Sequence, residues 1–373
     1  MTRDNEISRD KPQGIGGSQI PSANSSGVSD PRQNTSQSLL RVEDLTKHFK
    51  VQKNIFEQIK WQDRRIRRVR QVVHAVNGVS LAIDKGETLA LVGESGCGKS
   101  TLAKTIIGLH QPTAGSIYYG QDEIGGLTGR QRLPYQRRIQ IIFQDPFSSL
   151  NPRKTVMEIV GRPMLLHGIT DKAGLKDAIV DILAQVGLDA SYASRYPHQF
   201  SGGQRQRIGI ARALACRPDL VIGDEPISAL DVSIQAQILN LMMDLQEKFD
   251  LTYLFVSHDL SVVKHISTRV AVMYLGFIVE TATTEEIFAQ PNHPYTQLLF
   301  SAIPTLDKLY FNEAAGLAEG EVPTPIDLPS GCPFHPRCPN AFDPCRITRP
   351  LLKEIAPGLI PEMAAAVSKI MRN

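Results

Sequence analysis

The stretch TLALVGESGCGKS, at residues 88–100, decides the fold class. Its first part, Thr88 to Val92, is a short apolar run typical of a buried strand, and helical sequence begins at about Lys99. Between them, GESGCGKS fits the pattern G-x-x-x-x-G-K-S/T, in which backbone N–H groups and a helix N-terminus surround phosphate groups. The stretch therefore predicts a strand, a phosphate-binding loop and a helix within an α/β protein.

A second stretch, DLVIGDE at residues 219–225, supplies the acids that such a loop requires. It predicts a buried strand, Leu220 to Ile222, that ends in two carboxylates. Asp224 at the strand tip can hold a metal ion through water, and Glu225 can orient and polarise an attacking water. In the loop upstream, Lys99 can meet the β- and γ-phosphates and Ser100 can ligate Mg²⁺. Together the two stretches predict a nucleotide-hydrolysing site.

The rest of the central sequence is typical of a parallel sheet flanked by helices. Apolar runs at residues 139–143 and 253–256 predict two further buried strands. Between residues 145 and 196 the apolar residues recur at helical spacing, which predicts a small helical insertion in the α/β core.

Composition limits the classes of protein that this chain can be. With 42% apolar and 21% charged residues among 373, it is typical of an ordinary globular protein. A net charge of +3, from 41 basic and 38 acidic residues, gives no bulk attraction for nucleic acid, so we expect no nucleic-acid partner. The sequence has no run of about 18 apolar residues, so we expect the chain not to cross a bilayer.

Two segments carry a composition of their own. Residues 1–38 are polar and lack the apolar core of a secretory signal, so we predict a disordered tail. Residues 60–70 hold five arginines, and two interpretations stay open: contact with anionic lipid headgroups, or a solvated insertion between strands. The five cysteines do not form the pattern of a disulfide framework, which favours a reducing cytoplasm.

The stretch FSGGQRQR, at residues 200–207, brings a family resemblance. SGGQ alone is a weak signal, but here its serine, Ser201, lies 23 residues before Asp224 and opens a predicted helix. In this order it resembles the signature of ABC proteins, and the span from about Leu39 to Pro294 resembles their nucleotide-binding domain. The resemblance implies an α/β P-loop NTPase fold with an N-terminal antiparallel β part and an inserted helical subdomain. It places the nucleotide-binding domain at residues 39–300, the helical subdomain at about 145–215, and a small C-terminal extension at 301–373.

The same resemblance implies roles for individual residues. Glu225, His258, Gln144 and Lys99 would be catalytic, with Gln144 in the Q-loop, His258 as the switch histidine and residues 228–231 as the D-loop. The implied nucleotide-binding residues are Phe49, which would stack on adenine, Gly93, Ser95, Gly96, Cys97, Gly98, Lys99, Ser100, Thr101, Gln144, Asp224, Ser201 and Gly203. Of these, Ser100, Gln144 and Asp224 would hold Mg²⁺. Ser201 and Gly203 would face the γ-phosphate that Lys99 of another subunit holds, so that the ATP site is complete only in a dimer.

Four stretches resemble one branch of this family, the oligopeptide/dipeptide importer ATPases. They are QDPFSSLNPR (144–153), HPYT (293–296), GEVP (320–323) and GCPFHPRCP (331–339). The resemblance implies an ATPase subunit on the cytoplasmic face of the inner membrane, bound peripherally to transmembrane permease subunits. Its ATPase partner would be a sister subunit or a second copy, and an extracytoplasmic solute-binding protein would act indirectly. The solute stays open among dipeptides, longer peptides, glutathione, nickel complexes and glycosidic opines.

Three cysteines in the C-terminal extension, Cys332, Cys338 and Cys345, raise the question of a metal. Some members of this branch resemble iron–sulfur proteins here, but the fourth cysteine, expected near residues 364–367, is absent. Three thiolates leave a tetrahedral site open unless His335 or a partner completes it. An iron–sulfur cluster or zinc therefore stays possible and is not assigned, beside inert thiols packed in a loop.

Two other classes of ABC protein compete with an importer. Soluble ABC ATPases that act on ribosomes or DNA usually carry tandem motor domains or a long coiled-coil insertion, and this sequence has neither. A subunit that binds ATP only to regulate its sister would show losses at Glu225, His258 or the signature, and all three are intact. Two minor departures, Ile227 in place of threonine and Phe277 in place of a charged residue, do not touch the phosphate chemistry.

Overall fold

The computed structural model describes residues 38–51, 59–62, 65–68, 71–301 and 323–353. The strands in these ranges are β1 (Ser38–Lys50), β2 (Ile59–Gln62), β3 (Arg65–Arg68), β4 (Val72–Asp84), β5 (Thr88–Val92), β6 (Ala114–Tyr119), β7 (Asp122–Glu123), β8 (Ile139–Ile142), β9 (Leu220–Asp224), β10 (Thr252–Val256), β11 (Arg269–Tyr274) and β12 (Phe277–Thr283). The α-helices are α1 (Lys99–Ile106), α2 (Gly129–Arg138), α3 (Val156–Leu166), α4 (Leu175–Gln185), α5 (Gly202–Leu214), α6 (Val232–Phe249), α7 (Leu260–Ile266), α8 (Thr284–Ala289), α9 (Pro294–Ser301) and α10 (Asp343–Ile347). The predicted disordered tail lies outside the described residues, apart from Ser38, which begins β1.

The central sheet has six strands in the order β12-β11-β5-β10-β9-β8. Neighbouring strands from β11 to β8 pair in parallel, and only β12 at the edge is antiparallel. Every residue of β5, β9 and β10 is buried, because helices cover both faces of a parallel sheet. The predicted parallel α/β core is therefore present, with β8 ending at Ile142, one residue earlier than expected.

A second sheet lies in the N-terminal part of the chain, with four strands in the order β4-β1-β6-β7, all antiparallel. Its apolar side chains, such as Leu40 and Ile117, share one buried cluster with Leu102 and Ile106 of α1 and with Leu91 of β5. Helix α1 thus packs against residues of both sheets. The strand order and burial agree with the antiparallel β part that the resemblance implies.

Helices α3 and α4, between β8 and β9, carry the periodic apolar residues of the predicted helical insertion, and α5 follows them. Val160 of α3, Leu183 of α4 and Ile208 of α5 are fully buried in one cluster. A capping box fixes the start of α3, because the Thr155 side chain accepts from the Glu158 N–H and the Glu158 carboxylate accepts in return from Thr155. The division of the chain into domains at residues 145, 215 and 300 stays a prediction.

The described part of the C-terminal extension, residues 323–353, packs on the end of the central sheet. It holds a 3₁₀ turn at His335–Arg337 and the short helix α10. Phe334 is buried beside Tyr274 and Tyr295, and the His74 N–H of β4 donates to the Pro325 carbonyl at 2.8 Å.

Two further expectations concern membranes. Strands β2 and β3 form a two-stranded antiparallel sheet in the arginine-rich segment, and the rest of residues 60–70 lies outside the described ranges. Both interpretations of that segment stay open. None of the helices that the structure describes is long and apolar enough to cross a bilayer.

Candidate active site

The predicted catalytic side chains follow adjacent strands of the central sheet. Strands β5, β10, β9 and β8 are neighbours and run in parallel, so their carboxyl ends meet at one edge. Lys99 and Ser100 come after β5, His258 after β10, Glu225 after β9 and Gln144 after β8. Ligand sites of open α/β sheets lie at this edge, and the topology accounts for how residues far apart in sequence come together.

The phosphate loop, residues 93–100, surrounds a buried cation. The side chain of Lys99, a residue only 4% exposed, donates to the carbonyls of Gly93 at 2.7 Å and Glu94 at 3.0 Å. No ion pair between described residues includes Lys99. Helix α1 begins at the same residue, and its N-cap, Gly98, provides no side-chain hydrogen bond to the first N–H groups of the helix. A buried ammonium beside a helix N-terminus fits an anion such as a phosphate.

Glycines of the loop allow close approach of neighbouring backbone. Gly98 has a φ of 111°, and a Cβ there would lie 2.1 Å from the Ala75 carbonyl oxygen. A Cβ on Gly93 would lie 2.2 Å from the Met273 carbonyl oxygen. Side chains are therefore excluded at both positions. The remaining predicted residues of the loop and helix are placed as follows: Ser95 and Gly96 exposed, Cys97 buried, and Thr101 half-buried in α1.

The predicted metal ligands Ser100 and Asp224 are in contact. The Ser100 hydroxyl donates to Asp224 Oδ1 at 2.6 Å, and Asp224 is only 2% exposed. Lys104, which no sequence motif indicates, has its Nζ 3.7 Å from Asp224 Oδ2. A hydroxyl and a carboxylate are the hard oxygen ligands that Mg²⁺ prefers, so these residues fit that ion.

Two other predicted catalytic residues, Gln144 and His258, contact Glu225. Its Oε2 accepts a hydrogen bond from Gln144 Nε2 at 2.8 Å and lies 3.2 Å from His258 Nδ1. The backbone of Glu225 has a φ of 51°, a left-handed conformation that costs energy for a residue other than glycine. Its N–H donates to the Val256 carbonyl at 3.1 Å, which fixes the end of β9 to the end of β10. The turn thus directs the carboxylate towards the loops after β8 and β10.

Ser201 lies at the start of α5 and is exposed. Its hydroxyl accepts from the Gln204 N–H at 3.3 Å, and its own N–H donates to Gln204 Oε1 at 3.1 Å, which is a capping box. Gly203 packs closely on α6, since a Cβ there would lie 2.6 Å from Ile234 Cγ2. These contacts are within one subunit, and the role of Ser201 and Gly203 towards a second subunit stays a prediction.

Phe49, the residue expected to stack on adenine, is half-buried near the end of β1. Its ring makes an edge contact with His110 at a centroid distance of 5.2 Å, and Lys47 Nζ lies 4.9 Å from its centroid. The Phe49 ring therefore lies beside Lys47 and His110 and outside the apolar core. The stacking role itself stays a prediction.

The cysteines of the C-terminal extension show no metal-binding geometry. Within the described ranges, no group of three or more His, Cys, Asp or Glu residues is close enough to hold a metal ion. Burial raises the pKa of the Cys332 and Cys338 thiols, which favours the neutral thiol over the thiolate that metals bind. Nothing in the described part of the chain supports an iron–sulfur cluster or zinc.

One set of contacts to the phosphate loop was not anticipated from the sequence. The Glu94 N–H donates to Tyr295 Oη at 2.9 Å, and its carboxylate accepts from Arg337 Nη1 at 3.0 Å and Nη2 at 3.2 Å. In the sequence, Tyr295 and Arg337 lie in stretches that indicate only a family resemblance. With Arg337 lying 243 positions from Glu94, no local pattern signals the pairing.

Two family models match the chain. The model described as ABC transporter matches residues 76–228, and the model described as oligopeptide/dipeptide transporter, C-terminal region, matches residues 279–345.

Curated relatives match over most of their length. The oligopeptide transport ATP-binding protein AppF of Bacillus subtilis is 48% identical over 86% of this chain and 95% of the relative. The dipeptide transport ATP-binding protein DppF of Escherichia coli is 48% identical over 87% of this chain and 93% of the relative. The oligopeptide transport ATP-binding protein OppF of Salmonella typhimurium is 47% identical over 84% of this chain and 92% of the relative.

Solved structures agree in fold. CbiO1 of Clostridium perfringens, part of the ABC transporter complex cbiONQ, superposes with a TM-score of 0.55 and 25% identity, over 68% of this chain and 92% of that chain. A dimeric ATP-binding cassette in a post-hydrolysis state, bound to ADP and Pi, gives a TM-score of 0.55 and 27% identity, over 66% of this chain and 98% of that chain.

Proposed function

This chain belongs to the ABC transporter family, in its oligopeptide/dipeptide branch, and we propose that it hydrolyses ATP to power peptide import through separate membrane-spanning subunits. The family and the P-loop fold predicted from the sequence are confirmed. The relatives are ATP-binding proteins of peptide and dipeptide transport, which supports an importer and not an ABC ATPase that acts without a membrane partner. The identity of the peptide stays open.

The observation that carries the proposal is the convergence of Gln144 and His258 on Glu225. Glu225 would orient a water molecule and accept its proton as the water oxygen attacks the γ-phosphorus. The bond between that phosphorus and the bridging oxygen to the β-phosphate breaks, and ADP and phosphate leave. Gln144 and His258 would hold the carboxylate in position, since both contact its Oε2.

The phosphate loop would bind the β- and γ-phosphates. Lys99 donates at present to neutral carbonyl oxygens, and charged phosphate oxygens are stronger acceptors for the same ammonium. Ser100, Asp224 and Gln144 would hold Mg²⁺, which when bound neutralises phosphate charge. Phe49 would stack on the adenine ring, and Cys97, Thr101 and the loop glycines would line the phosphates.

The proposed assembly follows from the exposed start of α5. Ser201 and Gly203 would bind the γ-phosphate held by the loop of a second ATP-binding subunit, either a sister protein or another copy. The pair would sit on permease subunits at the cytoplasmic face of the inner membrane, and a solute-binding protein outside would deliver the peptide. Residues 39–300 would form the motor domain, followed by the C-terminal extension. No nucleic-acid partner is part of this proposal.

Uptake of labelled peptides tests the proposal directly. Cells from which the gene is deleted are complemented with the wild-type chain, with Glu225→Gln, or with Glu247→Gln as a matched control. Glu247 is an exposed acid of α6 outside the site. We expect wild type and Glu247→Gln to restore uptake of a labelled dipeptide or oligopeptide, and Glu225→Gln to fail. Undiminished peptide uptake in the deletion strain, with ATP turnover by the purified chain, would instead favour an ATPase without a membrane partner.

A further inference from the structure

The C-terminal extension reaches the phosphate loop through one charged pair. Arg337 donates to both carboxylate oxygens of Glu94, at 3.0 and 3.2 Å, in the bidentate geometry that makes such pairs strong. Glu94 is the second residue of the loop, and its carbonyl accepts from Lys99 Nζ at 3.0 Å. Two contacts therefore separate the extension from the cation expected to bind the γ-phosphate.

Aromatic side chains bury the Arg337 end of the pair, and the Glu94 end is partly exposed. The Arg337 side chain is 9% exposed and that of Glu94 is 28% exposed. Tyr274, Tyr295 and Phe334 are buried around them, with the Arg337 guanidinium 5.9 Å from the Phe334 ring centroid. Among the ion pairs of the described residues, Glu94 is the only partner of Arg337. Shielding strengthens the interaction between the two charges and raises the cost of leaving either one alone.

Electrostatics gives this pair a consequence for ATP. Glu94 puts a negative charge in a loop whose ligand is a polyanion, and an unpaired carboxylate there would oppose binding. The guanidinium neutralises that carboxylate and directs both of its oxygens towards the extension. Tyr295 holds the backbone of the same residue, through a hydrogen bond from the Glu94 N–H at 2.9 Å. The loop is thereby fixed at Glu94 by groups outside it.

The extension is also attached by contacts that do not involve charge. Phe334 makes edge contacts with Tyr274 and Tyr295 at centroid distances of 5.3 and 5.5 Å. The His74 N–H donates to the Pro325 carbonyl. These contacts remain when the Arg337 charge is removed, so the extension should stay in place in a variant that keeps the length of the side chain.

We propose that Arg337 is a positioning residue of the ATP site, through which the C-terminal extension sets the affinity of the phosphate loop for nucleotide. This inference rests on the proposed function, since it takes ATP as the ligand of the loop. It gives the extension a part in nucleotide binding in addition to its place in the fold. Arg337 acts through Glu94 and does not itself touch the phosphates.

The test measures binding of a fluorescent ATP analogue, mant-ATP, to the full-length chain. Arg337→Met removes the charge and keeps an unbranched side chain, and we expect it to raise Kd about 10-fold, which corresponds to about 1.4 kcal/mol. Arg337→Lys should recover most of the affinity, because it restores the charge without the bidentate geometry. Arg346→Met is the matched control: Arg346 is exposed in the same extension, and its Kd should equal that of wild type.

A double variant separates charge from structure. Glu94→Gln combined with Arg337→Met leaves no unpaired carboxylate, so its Kd should fall back towards that of Glu94→Gln alone. In steady-state hydrolysis, the KM for ATP should rise in Arg337→Met with kcat changed less than about 2-fold.

The inference is overturned if Arg337→Met binds mant-ATP as tightly as wild type, or if the double variant binds no better than Arg337→Met. Should Arg337→Met fail to fold, Arg337→Lys still decides: a Kd about 10-fold weaker than that of wild type, in a chain that keeps the positive charge, rejects a charge-based role. Failure of the wild-type chain to bind mant-ATP would be a different result, because it would reject the proposed function itself.

Discussion

Gln144 and Glu225 are joined by a hydrogen bond of 2.8 Å although 81 positions separate them in the chain. The donor lies in the loop after β8 and the acceptor in the turn after β9, and His258 from the loop after β10 lies 3.2 Å from the same carboxylate oxygen, Oε2. No hydrogen bond between described residues reaches the other oxygen, Oε1. One oxygen thus holds the carboxylate in place, and the other is available to a water molecule.

Glu225→Gln should abolish steady-state ATP hydrolysis and retain ATP binding. An amide keeps the size of the side chain but cannot accept the proton of water, and loss of a positioned base costs on the order of 10²- to 10⁴-fold in rate. The measurement is phosphate release by the purified full-length chain, beside mant-ATP binding. Glu247→Gln serves as the control, and turnover at the wild-type rate in Glu225→Gln would exclude the role assigned to this carboxylate.

Ser201→Arg should prevent ATP-dependent dimerisation without weakening ATP binding by the monomer. A long cation at the exposed start of α5 would block access of a second subunit's nucleotide to the helix N-terminus. Size-exclusion chromatography with ATP, in chains that also carry Glu225→Gln, reports the dimer.

Loss of the helix cap is a separate effect of the same substitution, with a cost of about 1 kcal/mol. Ser201→Ala removes the cap and adds no bulk, and we expect it to dimerise better than Ser201→Arg. A monomer that no longer binds ATP after Ser201→Arg would contradict the shared-site arrangement.

Gly203→Ala should destabilise the junction of α5 and α6. The added Cβ would lie 2.6 Å from Ile234 Cγ2, so the Ile234 side chain or one of the two helices must shift, and such overpacking typically costs about 1 to 3 kcal/mol. Thermal unfolding of the full-length chain measures the loss. Ile234→Ala removes the opposing methyl group, so the double variant should unfold closer to Ile234→Ala than the sum of the two single losses predicts. An unchanged Tm in Gly203→Ala would refute the steric argument.

His293 should make the fold less stable in mild acid. Burial lowers its pKa, against an opposing effect of Glu280, and its Nδ1 accepts the Tyr295 N–H at 3.1 Å, as only the neutral ring can. Because the pKa is lowered in the folded chain, the contribution to stability is present above the ordinary value of about 6.5 and is lost as pH falls through the lowered value.

The check compares Tm between about pH 8 and about pH 5 in wild type and in His293→Asn, whose amide oxygen can still accept the Tyr295 N–H. We expect the smaller drop in the variant. Burial also lowers the pKa of His74, His110 and His167, and their effect is common to both chains. Equal drops in the two chains would show that His293 does not titrate as proposed.

Buried strands were the most predictable part of the fold. Strands β5 and β10 are mainly apolar because helices cover both faces of the sheet. Such apolar runs can be recognised in the sequence alone. Strand β9 extends past its apolar run at Leu220–Ile222 and ends at Asp224, the predicted strand tip. The Asp224 carboxylate is buried there because it accepts a hydrogen bond from the Ser100 hydroxyl.

Most residues of the candidate site could be predicted from contiguous sequence motifs. The loops that carry these motifs follow neighbouring parallel strands, so they lie at the same edge of the sheet. Contacts made by residues without a local pattern were not predictable. Lys104 reaches Asp224 one helical turn beyond the loop, and Arg337 reaches Glu94 from the opposite end of the chain. The left-handed backbone at Glu225 was not predictable either, because glycine is the residue that usually signals this conformation.

The hydrogen bond from His74 to Pro325 has a consequence for solubility. Strand β4 lies at the edge of the four-stranded sheet, where an unpaired N–H group could bind a strand of another molecule. Along this edge the Asn77 N–H donates to Gly276, and the His74 N–H donates to Pro325 of the extension. The same segment carries Phe334, which shields the rings of Tyr274 and Tyr295 from solvent. A motor domain without residues 323–353 would leave the His74 N–H without this acceptor and the rings of Tyr274 and Tyr295 without Phe334, and we expect it to aggregate.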